Sequence, residues 1–182
     1  MQKEGLIQFL EKLAPKNLAE DWDNVGLLLG KREGEVRRVY LCLDVDSFAV
    51  KKAIEEGCDF ILSHHPFIFK GIKAVTGEDL QGNKIITLIE NGISVFSMHT
   101  NFDSVKRGMA DLVAEILEWK KEGVMEAVPS TMDGEEQGIG FYTYLDKAIP
   151  CAELASYVKE KCALPYICLL YTSDAADDLL CV

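Results

Sequence analysis

The amino-acid sequence predicts an α/β fold, a mostly parallel or mixed sheet with helices on both faces. Two observations carry this. Short runs rich in β-branched and aromatic residues alternate with amphipathic stretches, and two of the amphipathic stretches close on a glycine. A third observation concerns chemistry: each of the three histidines stands just after one of the apolar runs.

The elements follow in order. Leu6, Ile7, Leu10 and Leu13 recur at helical spacing, and Pro15 ends that first helix. "AEDWDNVGLLLG" (19–30) reads as a loop. "VRRVYLCLDV" (36–45) and "DFILS" (59–63) read as strands around the helix "SFAVKKAIEEG" (47–57), with Gly57 as its C-cap. "NKIITLIENG" (83–92) repeats the helix-then-glycine signature, "ISVFSM" (93–98) is a third strand, and "SVKRGMADLVAEILEW" (104–119) reads as one long amphipathic helix. The polar, turn-rich "MEAVPSTMDGEEQG" (125–138) marks a boundary. The sequence thus divides into a first α/β lobe (1–127), which holds all three histidines, and the start of a second, incomplete lobe (128–167), where "IGFYTYL" (139–145) reads as a strand and "CAELASYVKEKCAL" (151–164) as a helix.

Residues 168–182, "CLLYTSDAADDLLCV", change character abruptly. From Cys168 to Asp177 they match a translated sequencing adaptor residue for residue, so the natural sequence is expected to diverge near Ile167 and the chain to be a fragment.

The 182 residues carry a formal charge of −11. That argues against nucleic acid as a partner, since phosphate backbones select basic faces. There is no apolar run of membrane-spanning length and no signal-peptide pattern, so no membrane partner is expected and the reading is cytoplasmic. The six cysteines show no CxxC spacing and read as reduced.

Ligands of open α/β sheets bind outside the carboxyl ends of the strands. His64 and His65 follow "DFILS", while His99 and Asp103 follow "ISVFSM". Should the two strands be neighbours, the four side chains share one crevice. Successive residues of an extended chain point to opposite sides, so adjacent histidines are expected to serve two ions rather than one. Imidazole and carboxylate ligands suit zinc, iron, manganese or nickel. Asp103 reads equally as a helix N-cap.

"AEDWDNVGLLLG", "ILSHHPFIFKGIK" and "SMHTNFDSVKRGMAD", in this order, resemble the Nif-three-like (YbgI-type) dinuclear metal-centre family, often labelled GTP cyclohydrolase I type 2 homolog. The resemblance implies a two-lobed fold of which this chain is the first half, two divalent metal ions, and a toroidal hexamer as homo-oligomer with its metals facing an inner cavity. It implies His64, His65 and Asp103 as metal ligands, with His99 beside the metals as an orienting group or a catalytic proton carrier. The family completes its site with an H-x-x-x-E pair on a later helix, and this chain has no histidine after His99. The fragment is therefore expected to hold half a site and little activity.

Three further positions are singled out. Asp23 and Asn24, with Trp22, either line a substrate cavity or form an Asx-turn loop pinned by the tryptophan. Asp44 ends a strand and either orients a ligand imidazole or is solvated. Lys70 either offsets an anionic substrate or is solvated. The expected function is metal-dependent hydrolysis of a small nucleotide-like substrate, although no P-loop or dinucleotide fingerprint selects one. The alternative is a non-catalytic, metal-dependent interaction or metal-handling protein.

Overall fold

Residues 1–128 and 136–169 are described by the structure, a computed structural model. The first helix, α1 (Lys3–Leu13), leads through a 3-10 turn at Lys16–Leu18 to strand β1 (Gly26–Leu29). Strand β2 (Val39–Cys42), helix α2 (Ser47–Glu55), strand β3 (Phe60–Ser63), helix α3 (Leu80–Glu90) and strand β4 (Ser94–Ser97) then alternate. Two helices follow, α4 (Thr100–Ser104) and α5 (Met109–Ile116). The small strands β5 (Glu126–Ala127) and β6 (Gly138–Ile139) and helix α6 (Cys151–Lys161) complete the described chain.

Local chemistry sets the boundaries. Asp46 accepts the Ala49 amide at 2.7 Å and Asp79 accepts the Gly82 amide at 2.8 Å, so both crossover helices start on a carboxylate cap. They end where Gly57 and Gly92 take positive φ, 63° and 69°, a conformation that costs glycine nothing.

The main sheet has the order β1-β4-β3-β2. Strands β2, β3 and β4 run parallel, with Val39 beside Phe60 and Phe60 beside Ser94, while β1 pairs antiparallel with β4. Each of the two crossovers steps one strand in the same direction, which places α2 and α3 on one face. There Val50, Ala53, Ile85 and Leu88 enclose Ile61 and Val95. On the opposite face Ile7 and Leu10 of α1 pack against Phe60 and Phe96. The period-two alternation of β3 and β4 thus feeds two cores, as expected of a sheet covered on both sides.

Three sequence expectations change. "GLLLG" is a strand rather than loop, and it supplies the antiparallel edge. The long helix predicted over 104–119 is broken: Val105 is extended, Arg107 has φ 62°, and the helix restarts at Met109. Gly108 makes the break possible, because a Cβ there would lie 2.0 Å from the Phe102 carbonyl oxygen. "IGFYTYL" contributes only Ile139 to the two-residue strand β6, and a bridge from Tyr142 to Gly123. Half of the predicted boundary segment (129–135), and the adaptor-like run beyond Leu169, lie outside the described residues. Among the described residues the cysteines are free, and no helix is long and apolar enough to cross a membrane.

Candidate metal centre

The parallel pairing of β3 with β4 brings both histidine segments to one end of the sheet. Backbone bonds continue briefly past β3, with the His64 and His65 amides donating to the Cys42 and Leu43 carbonyls at 3.2 and 2.9 Å. A serine chain then pulls the following loop back over the strand ends. The Ser63 hydroxyl donates to the His65 carbonyl at 2.9 Å, lies 2.8 Å from the Ser97 hydroxyl, and Ser97 Oγ accepts the Phe67 amide at 3.4 Å.

Because His64 and His65 lie on this bend, beyond the last pleated residue of β3, they do not splay to opposite faces. Their ring centroids are 5.2 Å apart, and those of His64 and His65 lie 5.2 and 5.7 Å from that of His99. One ligand nitrogen from each of the three falls within 4.8 Å of the other two. The three imidazoles therefore face one crevice at the carboxyl ends of β3 and β4.

Carboxylates stand behind two of the rings. His65 Nδ1 is 2.8 Å from Asp44 Oδ1, and His99 Nδ1 is 3.0 Å from Asp23 Oδ1. An ionised carboxylate only accepts hydrogen bonds, so each Nδ1 carries a proton and leaves Nε2 as the nitrogen that can take a ligand. The expectation that Asp44 orients an imidazole agrees with this geometry.

Asp23 is held with particular completeness. Its side chain has 0% exposure. Oδ1 also accepts the Asn24 amide at 2.8 Å, while Oδ2 accepts the Thr100 amide at 3.1 Å and the Thr100 hydroxyl. That hydroxyl in turn accepts the Glu20 amide at 3.0 Å. Burial alone would raise the Asp23 carboxyl, but the bonds from Thr100, His99 and the Asn24 amide outweigh it and hold it below its ordinary value. Asp23, expected either to line a substrate cavity or to sit in an Asx-turn loop, faces inward and bonds His99. No sequence signal joins two residues 76 apart. The link is the antiparallel β1, whose entry loop arrives at the carboxyl end of β4.

Asp103, on α4, faces His64 with Oδ1 3.7 Å from Nε2. This is too long for a hydrogen bond and close to the ~3.4 Å between two ligands of one tetrahedral ion. Burial raises its carboxyl, opposed by His64 and His99. Asn24 does not enter the centre; its Nδ2 donates to the Ile68 carbonyl at 2.5 Å and ties two loops together. Lys70 lies exposed on the second of those loops.

The donor set fits a divalent transition ion: three imidazoles, two of fixed tautomer, with a carboxylate alongside. The nitrogens would close by up to about 1.4 Å to reach tetrahedral spacing, a movement within reach of small side-chain rotations.

Comparison with known proteins places the fold and the motifs. Residues 1–178 match the family described as Duf34/NIF3 (NGG1p interacting factor 3). The chain belongs to that family. It is 40% identical over 159 residues to a GTP cyclohydrolase 1 type 2 homolog of Clostridium perfringens, covering 87% of this chain and 60% of the relative. A protein of the same name from Clostridium acetobutylicum is 39% identical over 160 residues, covering 88% and 59%. The chain thus spans about three-fifths of the length of these curated relatives. Among solved structures, the Bacillus cereus protein related to NIF3 superposes with a TM-score of 0.67 at 35% identity, covering 71% of this chain and 35% of that one. Staphylococcus aureus protein SA1388 superposes with a TM-score of 0.79 at 26% identity, covering 91% and 66%. These likenesses agree with the mixed α/β fold and the family read from the three sequence motifs.

Proposed function

We propose that this NIF3-family chain carries the metal-binding part of a metal-dependent hydrolase acting on a small nucleotide-like substrate. The observation that supports it is the convergence of His64, His65 and His99, with two of the rings oriented by carboxylates. A bound divalent ion supplies Lewis-acid activation of water there. The residues do the rest. Asp44 and Asp23 fix the tautomers of His65 and His99, and Asp103, half-buried beside His64, holds or passes a proton at its carboxylate. His99, which the resemblance implies beside the ion as an orienting group or proton carrier, is read here as a third ligand of the triad.

The triad offers one ion its nitrogens, and a second ion requires ligands from elsewhere. The two-ion centre, the ring of six copies and the cytoplasmic location belong to the same proposal. Elemental analysis and calorimetry with Zn²⁺, Mn²⁺, Fe²⁺ and Ni²⁺ test the centre, and light scattering tests the assembly. His64→Ala and His65→Ala are each expected to lose most of the bound metal and the thermal stabilisation it brings. Unchanged metal content in both variants would overturn the assignment. A nucleotide and phosphoester panel, assayed on a full-length family member carrying these residues, tests turnover. Stoichiometric metal without turnover assigns the non-catalytic role instead.

A further inference from the structure

We propose that Trp22 and Phe69 form an aromatic corner that stacks a planar heterocyclic ring of the substrate beside the metal centre. This deepens the reading of the site as a small-molecule centre and rests on it. The two residues come from different loops, yet their ring centroids lie 6.0 Å apart at an interplanar angle of 72°, and Trp22 is 6.3 Å from His99 at 76°. Trp22 nevertheless remains 59% exposed and Phe69 46% exposed. A tryptophan serving only as a structural pin would bury most of its surface.

The corner is held in place. Asn24, two residues after Trp22, bonds the Ile68 carbonyl next to Phe69, and Asp23 between them is locked under His99 and Thr100. An aromatic surface fixed before binding loses little entropy when a ring lands on it. On the triad side of the corner the charge favours a ring over a phosphate; the neighbouring cation, Lys70, is exposed on the far side of Phe69 in the chain. Asp23, Asp44 and Asp103 all lie against the imidazoles, so an anionic group gains little from the apoprotein, whereas stacking is indifferent to those charges. The two planes, nearly perpendicular, let a flat ring lie on one and abut the other.

The test uses metal-free protein carrying Trp119→Phe. Because the chain has two tryptophans, Trp22 is then the sole indole reporter. Guanosine is the probe, with ribose 5-phosphate as the control lacking a ring base. Saturable quenching by guanosine and none by ribose 5-phosphate is expected. Equilibrium dialysis should show guanosine binding about tenfold or more weaker in Trp22→Ala and in Phe69→Ala, and within a few fold of wild type in Trp22→Phe. Both side chains are exposed, so circular dichroism is expected to report an unchanged fold. Equal guanosine affinity in Trp22→Ala, absence of saturable quenching up to millimolar guanosine, or equal quenching by ribose 5-phosphate would overturn the proposal. Since no metal is present, failure of the metal reading leaves these outcomes untouched, and metal uptake by Trp22→Ala is expected to equal wild type.

Discussion

Replacing Asp23 separates support of the fold from orientation of His99. In Asp23→Ala the Thr100 amide and His99 Nδ1 lose their acceptor in a site where the carboxylate was fully buried. A buried donor left unsatisfied costs about 1–3 kcal/mol. Two such donors give a loss of about 2–6 kcal/mol, a large share of a typical domain's stability. Asp23→Asn behaves differently. Its amide keeps one oxygen for the Thr100 amide and hydroxyl, but turns an NH2 toward His99. Nδ1 must then accept, the ring proton moves to Nε2, and the lone pair that faced His64 and His65 is gone. Urea denaturation should therefore show a large loss for Asp23→Ala and a smaller one for Asp23→Asn. Zn²⁺ titration should show both weakened, by about 10–100-fold for Asp23→Asn. If Asp23→Asn bound zinc like wild type, the carboxylate would not be setting the tautomer, and Asp23 would have no part in preparing His99 for an ion.

Other outcomes follow from the same geometry. Asp44→Ala should lower zinc affinity about 10–100-fold while changing stability by under about 1 kcal/mol, because the Asp44–His65 pair is exposed; calorimetry and urea melts read the two effects separately. Gly108→Ala should cost about 1–3 kcal/mol, since the new Cβ meets the backbone oxygens of Phe102 and Val105 rather than a yielding side chain; an unchanged urea midpoint would contradict it. Asp59 accepts the Arg37 and Arg38 amides at 2.8 and 3.2 Å, and these bonds hold its carboxyl below its ordinary value. Its contribution is complete above the ordinary carboxyl value of 3.8 and is lost as pH falls through the lower folded value. The stability gap between wild type and Asp59→Asn should accordingly narrow below about pH 4, as acid denaturation curves of the two would show.

The parts of this molecule legible in its sequence are those where one segment carries its own signal. Helices α2 and α3 announce themselves through periodicity and a closing glycine, and β3 and β4 through their apolar runs. The histidines stand out because they sit at the ends of those runs. Strand β1 reads as loop because "GLLLG" has no alternation, although the glycines at both its ends, each with positive φ, are a usable mark. The break in 104–119 is hidden because apolar spacing continues through "VKRG", while its cause, the close approach of Gly108 to Phe102, is a tertiary fact. Asp23 shows the same limit: its role arises only once β1 is laid against β4. The convergence of His64 and His65 is likewise hidden, because a pleat rule holds within a strand and these residues lie just outside one.

The antiparallel placement of β1 has a consequence in time. On the ribosome this strand and its entry loop are made early, yet the edge they pair with is made last among the sheet's strands. Asp23 waits for His99 across 76 residues of chain. At about 5–20 residues per second, that interval is roughly 4–15 s. Throughout it the apolar "GLLL" has no partner, and the imidazoles already made have no third member. On the proposed reading, capture of an ion by all three histidines would be tied to the last act of sheet assembly and would report that both ends of this segment have met.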